Sequence, residues 1–307
     1  MFARVGKLFA GLLAGAALFA VPGGDVAMAS ADGWSRPNDP GFSTQWGLKQ
    51  TRVDQVWNSN RGNPRVIVAV LDTGVNPLPD LRTRMLPGHD FVNEDSNPAD
   101  DNGHGTMAAG VVAAGGANRT GIAGICWNCR ILPVKVLNAK GSGTYTDIAQ
   151  GIRFAADRGA RVISLSLGGN ADSTILRDAV TYAEGKGALI VAAAGNKGVS
   201  AAHYPAAIPS VLAVGGVTST GARYSWSNYG SWVDVTAPGC NPAQGPSGAI
   251  GQYCGTSSAA PFVAGVAGLL ASSPLQPTAG EIRAAIVGTK SSPSGRVDAL
   301  KALQALR

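Results

Sequence analysis

The chain has 307 residues and a formal charge of +6, with only 14% of its residues charged. The excess of Lys and Arg is diffuse, with no basic run and no basic-aromatic stripe, so charge gives no support to a nucleic-acid partner. The length suits one large α/β domain better than a string of small ones.

Residues 1–29 read as a secretory signal. Arg4 and Lys7 precede an apolar run from Leu8 to Val21, and Ala27-Met28-Ala29 forms an A-x-A cleavage site. That run is short for a bilayer span, and no later stretch reaches the ~18 uninterrupted apolar residues a membrane helix needs. The expectation is a secreted, extracellular chain without a membrane anchor. Residues 30–45 are expected to form an N-terminal arm lying on a single domain of residues 46–307.

The first strong strand, Arg65–Leu71, is almost wholly apolar, as suits a strand buried on both faces of a parallel sheet. It ends at Asp72-Thr73-Gly74, and open α/β sheets place their sites at the C-terminal ends of such strands. After an acidic loop, Asn102-Gly103-His104-Gly105-Thr106 opens an Ala/Gly/Val helix. The α/β alternation continues with a strand at Arg130–Leu137, a helix at Thr146–Arg158, a strand at Arg161–Leu167, a helix at Ser173–Lys186 and a strand at Ala188–Ala194. The last of these runs into Gly195-Asn196. A further strand is predicted at Val211–Val217 and an antiparallel ribbon over Tyr224–Ala237. A small-residue turn, Gly255-Thr256-Ser257, then leads into a buried helix, and helices at Thr278–Thr289 and Val297–Leu306 close the chain.

Four cysteines in an exported chain fit an oxidising compartment and allow three pairings. The pairs Cys126–Cys129 and Cys240–Cys254 each close a short local loop and are favoured. The alternative, one zinc held by all four, lacks a second C-x-x-C.

Asp72, His104 and Ser257 supply the three roles of a serine hydrolase. A serine hydroxyl is a poor nucleophile until an imidazole takes its proton, and the imidazole needs a buried carboxylate to fix its tautomer. Asn196 offers a side-chain amide, and the Ser257 N–H a second donor, to the oxyanion of a tetrahedral intermediate. Read singly, Asp72 could be a turn cap, and Thr256 or Ser257 a helix N-cap.

Asp72-Thr73-Gly74, His104-Gly105-Thr106 and Gly255-Thr256-Ser257-Ser258-Ala259-Ala260-Pro261 together resemble the motifs of the subtilisin-like serine proteases, and thermitase-type members most of all. Ile163–Gly169, Ala192–Asn196 and Gly295-Arg296-Val297 extend the resemblance over essentially the whole mature chain. It implies a three-layer α/β fold, with a mostly parallel central sheet of about seven strands flanked by helices. It further implies an endopeptidase that works through an acyl-enzyme on protein or peptide substrates, as a monomer. On that pattern Asp72 orients, His104 is the general base, Ser257 the nucleophile and Asn196 the oxyanion donor. Gly141-Ser142-Gly143 and Ser166-Leu167-Gly168 match the two segments that pair with substrate backbone, an instance of strand addition. His203 falls near the base of the primary specificity pocket, where it would narrow the pocket or be a bystander on its rim.

The resemblance also implies structural calcium, which favours several oxygen ligands. Asp39 and Asp80, with Asn118 and the carbonyls around Thr120 and Ile122, match one site; Asp90, Asn93, Asp95 and Asn97 match a second. No cofactor is expected for the chemistry itself. The family is usually made with a folding pro-domain, for which the stretch after Ala29 is too short. Either folding relies on calcium and the disulfides, or a separately encoded foldase assists it; a proteinaceous inhibitor is the other partner this leaves room for.

Overall fold

The structure, a computed structural model, describes residues 36–291 and 293–307. The expected signal and residues 30–35 of the arm lie outside these. A 3-10 turn at Phe42–Thr44 is followed by two short helices, α1 (Trp46–Gln50) and α2 (Val53–Val56). Sheet and crossovers follow as β1 (Ile67–Asp72), β2 (His89–Asp90), α3 (His104–Ala113), β3 (Arg130–Lys135), α4 (Tyr145–Asp157), β4 (Val162–Leu165), α5 (Thr174–Gly185), β5 (Leu189–Ala193), β6 (Leu212–Val217) and β7 (Val235–Pro238). A ribbon of β8 (Cys240–Gln244) and β9 (Ile250–Cys254) leads into the long helix α6 (Thr256–Ala271), and α7 (Ala279–Gly288) and α8 (Ala299–Gln304) follow.

The sheet has seven strands in the order β2-β3-β1-β4-β5-β6-β7, every pairing parallel. The pleat sorts its residues into two faces. Ala69, Leu71, Leu132, Val134, Ile163, Leu165, Ile190 and Ala192 pack against Ile148 and Ile152 of α4 and Leu176 and Val180 of α5. Helices α3 and α6 pack together and cover the other face. Both faces are covered, which is why the strands are apolar runs and not alternating ones.

Helix α6 decides where the site lies. Of its 16 residues, Ser257 is the only one that is not buried. Full burial of side chains such as Phe262, Leu269 and Leu270 stabilises the domain by about 1.5–3 kcal/mol each. That packing holds the half-buried Ser257 in place at the helix start.

The ribbon predicted over Tyr224–Ala237 is not there. Tyr224 and Trp226 stack on each other at 4.5 Å, packed against Gly239 and Gly216, and the chain turns until β7 joins β6 in parallel. Their i, i+2 spacing mimics a strand, but both rings serve one local stack. The antiparallel ribbon is β8–β9, where Cys240 faces Cys254 in register. Disulfides join Cys126 to Cys129 and Cys240 to Cys254, the pairs favoured from loop length.

Candidate active site

Asp72 ends the central strand β1 with no solvent exposure. Its Oδ1 accepts the Thr73 N–H at 2.7 Å and faces His104 Nδ1, also at 2.7 Å. Helix α3 can start this close to β1 because residue 105 is glycine: a Cβ there would sit 2.1 Å from the Gly74 carbonyl oxygen. Asp100 organises the approach. Its Oδ1 accepts from the Thr73 hydroxyl at 2.8 Å and the Gly103 N–H at 2.8 Å, and its Oδ2 from the Thr106 hydroxyl at 2.6 Å. Burial works against its charge, but these hydrogen bonds hold its pKa below the ordinary value. For His104, burial alone would lower the pKa; the charge and hydrogen bond of Asp72, with the charge of Asp100, outweigh it and hold the ring above its ordinary 6.5.

Ser257 stands in the first turn of α6, which Gly255 enters at φ 123°. Pro261 lacks the N–H that would bond the Ser257 carbonyl in a regular helix. The Ser166 hydroxyl donates to that carbonyl instead, at 2.9 Å, while the Ser257 hydroxyl donates to the Ser166 carbonyl at 3.2 Å. The two serines thus lock the start of α6 to the end of β4. His104 Nε2 faces the Tyr253 hydroxyl at 3.2 Å, with the rings edge to face at 5.1 Å. Burial, helped by the charge of Asp72, pushes the Tyr253 pKa up, so it stays a hydroxyl.

Asn196 follows β5, and its Oδ1 accepts two hydrogen bonds from Thr256, leaving Nδ2 to the cleft. The cleft, about 730 Å³, is lined by His104, Asn196 and Ser257, by Gly141, Ser142 and Gly143 on one side and Ser166, Leu167 and Gly168 on the other, and by His203. Asp72 lies behind His104. Four contributors went unread in the sequence: Tyr253, Asp100, Thr256 and the buried Lys135, whose Nζ donates to the Thr73 and Leu137 carbonyls and to Asp101. Thr256 and Asp100 sit beside motif residues, which was the available signal; Tyr253 and Lys135 gave none.

The two expected cation sites differ. Asp39 accepts from the Ala117 and Asn118 N–H groups at 2.9 and 3.1 Å, and Asp80 Oδ1 from Asn118 Nδ2 at 2.6 Å. Asp80 Oδ2 is buried without a partner. It converges with Gln244 Oε1 beside Gly121, where a Cβ would lie 2.7 Å from the one and 2.0 Å from the other. Burial first, then the charge of Asp39, raise the Asp80 pKa to about 6 against the Asn118 hydrogen bond. An orphaned carboxylate oxygen beside a second side-chain oxygen fits a hard cation. Thr120 and Ile122 meet the cluster through N–H groups, to Asn118 Oδ1 at 2.8 Å and to Asp80. In the second cluster the oxygens serve its own loop: Asp90 accepts from Val92, Asn93 and the Asn93 amide, and Asp95 from Asn97. Among the described residues no three His, Cys, Asp or Glu side chains gather as a metal centre.

Parallel α/β sheets host many chemistries, but a hydroxyl and an imidazole in one cleft, with a buried carboxylate behind the imidazole, are the needs of a serine-dependent hydrolase. That is the class that fold and site define. Residues 63–303 match Peptidase_S8, the subtilase family, and the chain belongs to that family. It is 47% identical over 279 residues to thermitase of Thermoactinomyces vulgaris, covering 87% of this chain and 99% of thermitase. It is 40% identical over 229 residues to Subtilisin Savinase of Lederbergia lenta, covering 74% of this chain and 84% of the other. Among solved structures, a protease from Pseudoalteromonas arctica PAMC 21717 superposes with a TM-score of 0.82 at 33% identity, over 89% of this chain and 100% of that one. The chain is accordingly a subtilisin-like serine endopeptidase. No helix of the described residues is long and apolar enough to cross a membrane.

Proposed function

We propose that the chain is exported through residues 1–29 and cleaves peptide bonds through Asp72, His104 and Ser257. The observation that carries this reading is the 2.7 Å pairing of Asp72 with His104 in the cleft that also receives Ser257 and Asn196. Ser257 Oγ attacks the scissile carbonyl carbon as its proton passes to His104 Nε2. The Asn196 amide and the Ser257 N–H take the oxyanion charge. His104 then returns the proton to the departing amine, leaving the acyl-enzyme, and a water activated by the same base frees Ser257. Asp72 accepts the Nδ1–H of His104 and so holds that tautomer. Substrate backbone runs between Gly141–Gly143 and Ser166–Gly168 as an added strand.

Calcium is proposed at Asp39, Asp80 and Asn118, with Gln244 added. There it would neutralise two carboxylates and pin the stretch around Asp39 to the loop at residues 117–121, supplying stability and no chemistry. Asp90, Asn93, Asp95 and Asn97 remain a second, weaker proposal.

Intact-mass analysis after a fluorophosphonate probe tests the core reading. One adduct on the parent and none on Ser257→Ala is expected. No adduct on the folded, calcium-loaded parent would overturn it.

A further inference from the structure

The lining side chains that can carry a charge near neutral pH are all basic. His104, Lys197 and His203 are there, and no Asp or Glu is among the lining residues. Two of the three lie together, away from Asp72. Ser166–Gly168 and Ala193–Asn196 form two walls beside Ser257, and the His203 ring closes the space between them. A Cβ on Gly168 would lie 2.6 Å from His203 Nε2, and one on Gly195 3.0 Å from its Cδ2. His203 Nδ1 is buried with no hydrogen-bond partner, a costly state for a ring nitrogen. Lys197 directly follows Asn196, is exposed, and pairs with none of the described carboxylates.

We propose that this hollow selects an acidic side chain, glutamate or aspartate, on the residue whose carbonyl Ser257 attacks. The inference rests on the endopeptidase reading of Ser257. With that carbonyl held at Asn196 and Ser257, the side chain of the same residue enters between the two walls, toward Lys197 and His203. An apolar side chain would strip water from the Lys197 ammonium and leave the imidazole unpartnered. A carboxylate answers both. Burial, and then the charge of Lys197, lower the His203 pKa, so the empty hollow holds a neutral ring that gains from an arriving anion.

The test uses three peptide anilides that differ only at the attacked residue, carrying Glu, Gln or Leu. Glu and Gln match in shape, so their ratio reports charge alone. The parent is expected to favour Glu over Gln in kcat/KM by about tenfold at low ionic strength, with the ratio falling as salt is added. Lys197→Glu, at an exposed side chain, should invert the ratio, and His203→Asn should reduce it. A parent that prefers Gln or Leu, or a ratio untouched by Lys197→Glu, would overturn the inference while leaving the endopeptidase reading intact. Cleavage of none of the three, with no fluorophosphonate adduct, would overturn both.

Discussion

Thr256 fixes the Asn196 side chain twice: its N–H and its hydroxyl both donate to Asn196 Oδ1, at 2.8 and 2.9 Å. With its acceptor taken, the amide can present only its NH₂ end to the cleft. The Thr256 hydroxyl in turn accepts the Gly195 N–H at 3.0 Å, so strand end and helix start are tied through one side chain. Asn196→Leu should lower kcat with KM little changed, by the roughly 10²–10³-fold known for the same donor in subtilisin. Thr256→Val keeps the N–H bond and loses the hydroxyl, and should cost roughly tenfold in kcat, the worth of one modest hydrogen bond. Steady-state kinetics of both variants checks the pair.

The pH profile follows from His104. In the proposed mechanism the base must be neutral to accept the Ser257 proton, so activity falls as pH drops through the pKa of this ring. Asp72 and Asp100 raise that pKa, which places the acid limb of kcat/KM above 6.5. Asp72→Asn should shift that limb downward and lower kcat by roughly 10⁴-fold, the loss known for a triad acid of chymotrypsin-like enzymes. A limb that stays in place in Asp72→Asn would argue against this electrostatic account.

Tyr253 contests the imidazole. Its hydroxyl meets His104 Nε2 at 3.2 Å while the Ser257 hydroxyl bonds the Ser166 carbonyl. Substrate or probe must shift that balance before the proton can move. Tyr253→Phe should therefore speed fluorophosphonate labelling of Ser257 several-fold, on the scale of one hydrogen bond of ~1 kcal/mol. Slower labelling would mean that the hydroxyl positions the ring instead.

Calcium should matter most where Asp80 is charged. Its folded pKa, about 6, lies above its unfolded 3.8, so the folded state binds more protons between these values and the ionised group opposes folding above pH 6. A bound cation removes that penalty. The melting temperature with calcium, minus that with EGTA, should be large at pH 7.5 and shrink below pH 6. Asp80→Asn should show little difference at either pH. Calorimetry across that range decides it.

The sheet was legible because both its faces are covered, so strands at Ile67–Asp72, Val162–Leu165 and Leu189–Ala193 are continuous apolar runs between turn residues. The two-residue β2 is too short to leave a pattern, and Tyr224 and Trp226 counterfeited one by stacking on each other.

Sequence alone located the groups of the proposed chemistry: Asp72, His104, Asn196 and Ser257 stand at strand ends and helix starts, and those positions are set by local runs and glycines. Sequence alone also paired the cysteines, since each bridge closes a local loop. Tertiary structure decided everything that depends on direction. It turned the Asn196 amide outward, set Tyr253 against His104, aimed Asp80 Oδ2 and Gln244 Oε1 at one point, and gathered Lys197 and His203 in a cleft without acids. Those relationships join residues far apart in the chain or fix the rotation of a side chain, and neither the period of a strand nor the spacing of a motif records them.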